Sequence, residues 1–528
     1  MASNNEDKST YTFDHPELGS LTGIIQPHNV VQFRAVPYAT VPARFKRSIL
    51  LNKLPAHKTN FTEHGYACPQ IFPDHEAGGG PHPSDPATNL SDEFNCLILQ
   101  LNIPLSLLEA KPTEKLPVLI YIHGGGFVLG KIDEQHSTAP MVQQSITSGS
   151  PIIGASIQYR LGALGYLQTS REDSNLALND QRNALLWIQR FISGFGGDEK
   201  RVTVFGESAG SISICYHMLR EPPSSGPLFQ RAILMSGIIG PGTAPCSVED
   251  SEKRYYDFLS KVGIEETGEV GLQKLSEMNV DLVVKASAEM GEEGGMWLSV
   301  RDEEWFGADA ERVTWDRIPE LIGKCEWVND VVLGCTGFEG TTFASRYADV
   351  EPSAFLSSIQ SQLGDESARI LANAYNITPT MDKNLFLTSL LRWVGDAIFD
   401  APNHMLASHL ASKTNKNIYR YIFNVRNPFP ANALYQQSHH WVDVYFVFKA
   451  HQFRHECMSS MCVLYEDRMT ISKYGDSCED APTIWALPLS ACFTGEKIPM
   501  PSRASVQSEP DPTQLLRQRD VSSTLIVP

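Results

Sequence analysis

The stretch VTVFGESAGSISICYHM, Val202 to Met218, sets a serine between two glycines, after an apolar β-type run and before an apolar run able to form a helix. A strand that becomes a helix within one residue needs small neighbours, because larger side chains there would collide. Gly206-Glu207-Ser208-Ala209-Gly210 therefore reads as a tight strand-to-helix corner that lifts the Ser208 hydroxyl clear of the backbone ladder, the geometry of a nucleophile. The five-residue pattern alone arises by chance on the order of one time in five in a chain this long, so its weight comes from the flanking strand and helix patterns.

Upstream, LPVLIYIHGGGF, PIIGASIQYRLGALGYL and NDQRNALLWIQRFISGFGGD precede RVTVFGESAG. Their order reads as strand, strand, helix, strand, a mostly parallel sheet with helices on its faces. In the third segment Leu185, Ile188 and Ile192 recur at helical spacing, Asn179 or Asp180 is placed to cap the start, and Gly194, Gly196 and Gly197 mark the end. His123-Gly124-Gly125-Gly126-Phe127 closes the first of these strands. Three successive glycines leave backbone N–H groups uncovered, and such groups bind the oxyanion that forms when a serine attacks an ester carbonyl.

The chain has 528 residues, of which 42% are hydrophobic and 20% charged, values of a globular protein; without internal repeats or a long Gly/Ser linker it reads as one large domain. A net charge of −18 without basic clusters argues against nucleic acid or an anionic membrane as partner. No uninterrupted run of about 18 apolar residues is present to span a bilayer, and the first residues show no basic segment followed by an apolar one. Ten cysteines are too sparse for a disulfide scaffold. The expectation is a soluble, cytoplasmic protein. Residues 1–16 read as a flexible leading segment, residues 17–498 as the domain and residues 499–528 as a poorly ordered tail.

Several long motifs in a fixed order resemble the type-B carboxylesterase/cholinesterase family of α/β-hydrolases: FRAVPYATVPARF (Phe33 to Phe45), ACPQ around Cys68, NCLILQLNIP around Cys96, HGGGF, QYRLGALGYL, FGGDEKRVTVFGESAG and RAILMSG ending at Gly237. The resemblance runs over about residues 17–455. It implies an α/β-hydrolase fold, with a mostly parallel central sheet and helices on both faces in a single large domain. It also implies a Ser, Glu, His triad in that chain order. VVLGCTGFEGTTF supplies Glu339, and HHWVDVYFVF supplies His440 with Asp443 in register, His439 being the competing neighbour. By the same resemblance the amides of Gly125, Gly126 and Ala209 form the oxyanion hole and Ser236 plays a supporting role; Glu207, beside the nucleophile, reads as a supporting residue that tunes the site's field. His440 would take the Ser208 proton and return it to the leaving group, with Glu339 orienting the ring. Activity is then expected to fall on acidification through roughly pH 6 to 7.

The implied function is hydrolysis of small or medium apolar esters or lactones through an acyl-enzyme, with a small-molecule ester as partner and no metal or organic cofactor. Acyl transfer or thioester release by the same triad, and a noncatalytic binding role on the same scaffold, are the alternatives. No Trp lies between Cys68 and Cys96, where cholinesterases hold a quaternary ammonium by cation–π attraction, so a choline ester is not the expected substrate. Cys68 and Cys96 stand where the family's first disulfide falls and are open between bonded and reduced. Cys246 lacks the partner of the second disulfide. Trp297, Trp305 and Phe306 are open between lining a gorge and packing in the core. The adjacent His439 and His440 with His451, His455 and Cys457 form no closed four-ligand zinc set, and His451 and His455 read as a solvated helix face. The chain departs from the family after about residue 457, and from about Tyr465 the sequence loses clear periodicity.

Overall fold

The computed structural model describes residues 9–27, 29–72, 90–110, 114–133, 135–169, 173–292, 296–428 and 434–449, and the backbone of 469–473. On the N-terminal side lie strands β1 (Thr10–His15), β2 (Gly19–Gln26), β3 (Val30–Pro37), the short β4 (Ala39–Thr40) and β5 (Ile49–Leu50), and β6 (Ile98–Pro104). Then follow β7 (Leu116–Ile122), β8 (Ile153–Ile157), β9 (Gly197–Glu207), β10 (Arg231–Met235), β11 (Asp330–Thr336), β12 (Asn417–Phe423) and β13 (Met469–Lys473). Apart from the β4–β5 pair, these make one 11-stranded sheet in the order β1-β2-β3-β6-β8-β7-β9-β10-β11-β12-β13.

The sheet is mixed. From β8 through β7, β9, β10 and β11 to β12 every pairing is parallel, as the alternation of strand and helix patterns predicts. Strands β1, β2, β3, β6 and β8 pair antiparallel, because short turns rather than crossover helices join the first three. The expectation of a mostly parallel sheet thus holds for its centre and not for its N-terminal flank.

For residues 10–15, strand β1 also corrects the reading of residues 1–16 as a flexible segment; residues 1–8 lie outside the described residues. Residues 10–15 pair with β2, and Tyr11 and Phe13 pack on the main core. At the other flank β13 pairs antiparallel with β12, although residues past 465 show no periodicity; edge pairing uses backbone groups and needs no side-chain pattern. Residues 499–528 lie outside the described residues.

Alternate residues of the central strands enter two different cores. Val118, Ile120, Val204 and Leu234 join the large cluster on one face, whereas Leu119, Tyr121, Phe205 and Met235 join a second cluster on the other. Helices Leu176–Phe191 and Ala209–Met218 cover the first face; helices Ala139–Thr147 and Val442–Val447 cover the second. The helix foreseen over NDQRNALLWIQRF starts earlier than expected, with Asn175 at its N-cap position. Asp180 does not cap it. Asp180 is an interior residue of the helix, and its buried carboxylate makes a two-bond pair with Arg160, Nε to Oδ2 at 2.7 Å and Nη2 to Oδ1 at 2.8 Å. Trp297 and Trp305 belong to the core: their indole N–H groups donate to Ser287 O at 3.1 Å and Tyr216 O at 3.2 Å. Phe306 packs against the same core. Among the described residues no helix is long and apolar enough to cross a membrane.

Candidate active site

Ser208, Ser236, Glu339 and the three glycines all follow the carboxyl ends of neighbouring parallel strands, β9, β10, β11 and β7, the edge at which open α/β sheets gather ligands. Ser208 itself sits at φ 54°, ψ −122°, outside the regions a side chain prefers. Two contacts hold it there. Its N–H donates to Met235 O at 2.8 Å, continuing the sheet, and its C=O accepts from Ile212 N at 3.0 Å, opening the helix. The glycines around it are required by contact: a Cβ on Gly210 would stand 2.0 Å from Ile122 O, and one on Gly206 would stand 2.7 Å from the Gly210 carbonyl carbon. The serine is half-buried and so within reach of a ligand.

Glu339 follows β11 in a short turn and is buried. Its Oε1 accepts from Thr336 N at 2.5 Å and from Ser236 Oγ at 2.6 Å; its Oε2 meets His440 Nδ1 at 2.6 Å. Ser236 therefore holds the carboxylate oxygen that does not meet His440. Gly340 and Gly395 let the helix Lys383–Gly395 press onto this turn, since a Cβ on Gly340 would lie 1.7 Å from Leu391 O.

His440 lies far from β12 in sequence but is tied back to the Glu339 turn. Phe338 N donates to Ser438 O at 2.8 Å, and Phe338 and His439 form a β-bridge. His439 is a packing neighbour with both ring nitrogens engaged, Nδ1 with His440 O at 2.5 Å and Nε2 with Asn427 Nδ2 at 3.0 Å. Burial pulls its pKa down to about 4. The ring of Phe399, on a π-helical turn at Asp396–Asp400, lies 4.6 Å from the His440 ring. Sequence reasoning missed Phe399, because a single π-turn leaves no periodic trace.

Glu207, next to the nucleophile in sequence, meets the histidine as well. Its buried carboxylate reaches the second imidazole nitrogen directly, Oε1 standing 2.9 Å from His440 Nε2. Among the described residues the Ser208 hydroxyl hydrogen-bonds neither ring nitrogen. Burial acts to lower the His440 pKa, but the charges of Glu207 and Glu339 outweigh it and hold the ring well above its ordinary value. Glu207 is raised, chiefly by burial. Asp443, used in the sequence only as a register mark, is buried nearby with Oδ2 accepting from Tyr421 OH at 3.0 Å; burial and the charges of Glu207 and Glu339 push its pKa up to about 7.

The glycine loop after β7 faces this corner. Gly124 has room for no side chain, since a Cβ would lie 2.6 Å from Glu207 O and 3.1 Å from Ser208 Cβ. Gly125, Gly126 and Phe127 take φ of 105°, 60° and 65°, and the amides of Gly125 and Gly126 donate to no partner among the described residues. Ala209 is the first residue of helix Ala209–Met218, a position whose N–H lacks a carbonyl one turn back. Cys68 and Cys96 are free, buried thiols; the hydrogen bond to Cys68, with burial, raises the Cys96 pKa. His451, His455 and Cys457 lie outside the described residues.

Six parallel strands flanked by helices, with a strained serine corner after β9, make this an α/β-hydrolase fold. The chain belongs to the carboxylesterase family, whose model matches residues 12–472, and it is an enzyme acting on ester bonds. It is 27% identical over 466 residues to lipase 1 of Yarrowia lipolytica, covering 87% of this chain and 86% of that one. It is 28% identical over 458 residues to the para-nitrobenzyl esterase of Bacillus subtilis, covering 82% of each. A solved PNB esterase structure matches its fold with a TM-score of 0.65 at 24% identity over 84% of each chain.

Proposed function

We propose that the protein cleaves small or medium apolar carboxylic esters or lactones through an acyl-enzyme on Ser208. The observation that carries this reading is an imidazole held at Nδ1 by Glu339, 2.6 Å away, together with a half-exposed serine at φ 54° at the end of a neighbouring strand. A Glu339 carboxylate at Nδ1 orients the ring and favours its protonated form, while Nε2 takes the Ser208 proton in place of its contact with Glu207. The hydroxyl oxygen then attacks the ester carbonyl, and the alkoxide leaves with the proton from Nε2. The amides of Gly125, Gly126 and Ala209 receive the negative oxygen; one such donor is worth about 3 kcal/mol in the barrier. Water attacks the acyl-enzyme by the same route in reverse.

The test is labelling with a fluorophosphonate, followed by turnover of p-nitrophenyl esters of increasing chain length. Labelling confined to Ser208 and lost in Ser208→Ala is expected. A folded protein that takes no label and turns over no ester in the series overturns the reading.

A further inference from the structure

We propose that Gln70 and Tyr159 are positioning residues for the amides of Gly125 and Gly126, acting through the backbone of the loop His123–Gly130; the assignment rests on the serine-esterase reading above. The loop has little means of holding its own shape. Four of its eight residues are glycine, and residues 125, 126, 127 and 130 all have positive φ. Glycine loses more conformational freedom on ordering than any other residue. Inside the loop, Val128 N and Leu129 N both donate to Gly125 O at 3.0 Å, which closes the turn but does not anchor it to the sheet.

The anchors come from outside: Phe127 is buried in the core and its carbonyl accepts from Gly162 N at 2.7 Å, and two side chains hold the ends of the loop. At the start of the loop the Tyr159 hydroxyl donates to His123 O at 2.7 Å, and its ring stacks on the His123 imidazole at 4.4 Å with planes 15° apart. At the far end the Gln70 carboxamide closes a two-bond ring on one residue: Gly130 N donates to Oε1 at 2.8 Å, and Nε2 donates to Gly130 O at 2.9 Å. The same Nε2 donates to Cys68 O at 3.0 Å, which fixes the carboxamide against its own chain. The two ends touch, since a Cβ on Gly130 would fall 2.3 Å from His123 Nδ1. A shift at Gly130 is therefore felt at His123 and by the glycines between them.

Neither side chain is hydrogen-bonded to Ser208, Glu339 or His440. Their influence runs through the amides alone. Oxyanion donors act within about 0.4 Å of their best distance, so loosening an anchor weakens the transition state while leaving ester binding nearly intact.

The experiment compares wild type with Gln70→Ala, Gln70→Glu and Tyr159→Phe, the last keeping the ring stack and losing only the hydroxyl. Gln70→Glu keeps an acceptor for Gly130 N but sets a second oxygen against the carbonyls of Gly130 and Cys68. The measurements are kcat and KM on a p-nitrophenyl ester, Ki for a trifluoromethyl ketone, which forms the same tetrahedral oxyanion, the pH profile, and thermal unfolding. Gln70→Ala and Gln70→Glu are expected to lower kcat about 10- to 100-fold and to weaken the ketone by a similar factor, with KM changed less than about threefold and the acid limb unmoved. Tyr159→Phe is expected to follow with about a 3- to 10-fold loss. Folded variants with unaltered kcat and ketone affinity overturn the assignment, as does a loss of kcat that moves the acid limb and spares the ketone. Wild type that neither turns over esters nor binds the ketone removes the esterase reading and the assignment with it; an active wild type with an unaltered Gln70→Ala removes the assignment alone.

Discussion

Glu207 Oε1 stands 2.9 Å from His440 Nε2, while Glu339 Oε2 stands 2.6 Å from Nδ1 of the same ring. One imidazole is thus held between two buried carboxylates, and its protonated form is favoured from both edges. The sequence alone suggested an ordinary imidazole transition; the flanking charges move it upward.

The base must be neutral to accept the serine proton, so the acid limb of kcat/KM is expected above the usual value near 6.5 rather than at it. Glu207→Gln removes one of the two charges and is expected to move that limb down by about one pH unit. Profiles of both proteins on one ester check this, and coincident limbs would contradict it. The stability linked to the His440 proton has the matching sign: it is fully present below about pH 6.5 and is lost as pH rises through the raised value.

The strained corner makes a second, separable prediction. Ser208→Ala is expected to lower kcat by at least about 10³-fold without loss of the fold. Ser208→Gly is equally inactive but relieves the φ 54° backbone, and is expected to be more stable than Ser208→Ala by about 1 kcal/mol. Chemical denaturation of the two variants measures the difference; equal midpoints would show that the corner stores no strain.

Gly210 permits the crossing of the serine corner with β7. Gly210→Ala drives a methyl to 2.0 Å from Ile122 O, a backbone atom that cannot step aside. A destabilisation of about 3 kcal/mol or more is expected, read as a lower unfolding midpoint or as loss of soluble protein. Gly226→Ala serves as the control for space, since nothing lies within 4 Å of a Cβ there, although its φ of 113° carries a smaller backbone cost.

Asp443 gives a pH-dependent stability. Its carboxyl is raised from 3.8 to about 7 by burial and by Glu207 and Glu339, so the folded protein keeps a proton that the unfolded chain releases. That proton's contribution is fully present below about pH 4 and is lost as pH rises toward 7. Asp443→Asn cannot ionise and still accepts from Tyr421, so its stability relative to wild type is expected to improve between pH 5 and pH 8.5 by about 3 kcal/mol. Denaturation at the two pH values measures it, and a constant difference would rule it out.

Much of the site was legible because its parts are short local patterns. GESAG announces a corner by its glycines, HGGGF announces bare amides, and the strands before both are apolar runs of the right length. Glu339 and His440 required the family resemblance, since a lone glutamate in a glycine-rich turn and one of two adjacent histidines carry no chemistry in their spacing. The missed features were those made by meeting rather than by pattern: β1 outside the expected domain, the π-turn that brings Phe399 to His440, and the Asp180 carboxylate buried against Arg160.

The sequence by itself determined the strand-to-helix corner at Ser208 and the central run of parallel strands, because periodicity and glycine placement are local properties of the chain. Only the tertiary structure decided that Glu207 reaches Nε2, that Gln70 and Tyr159 brace the glycine loop, and that His440 is raised. Those are distances between residues far apart in sequence, and buried electrostatics depends on such distances rather than on neighbours along the chain.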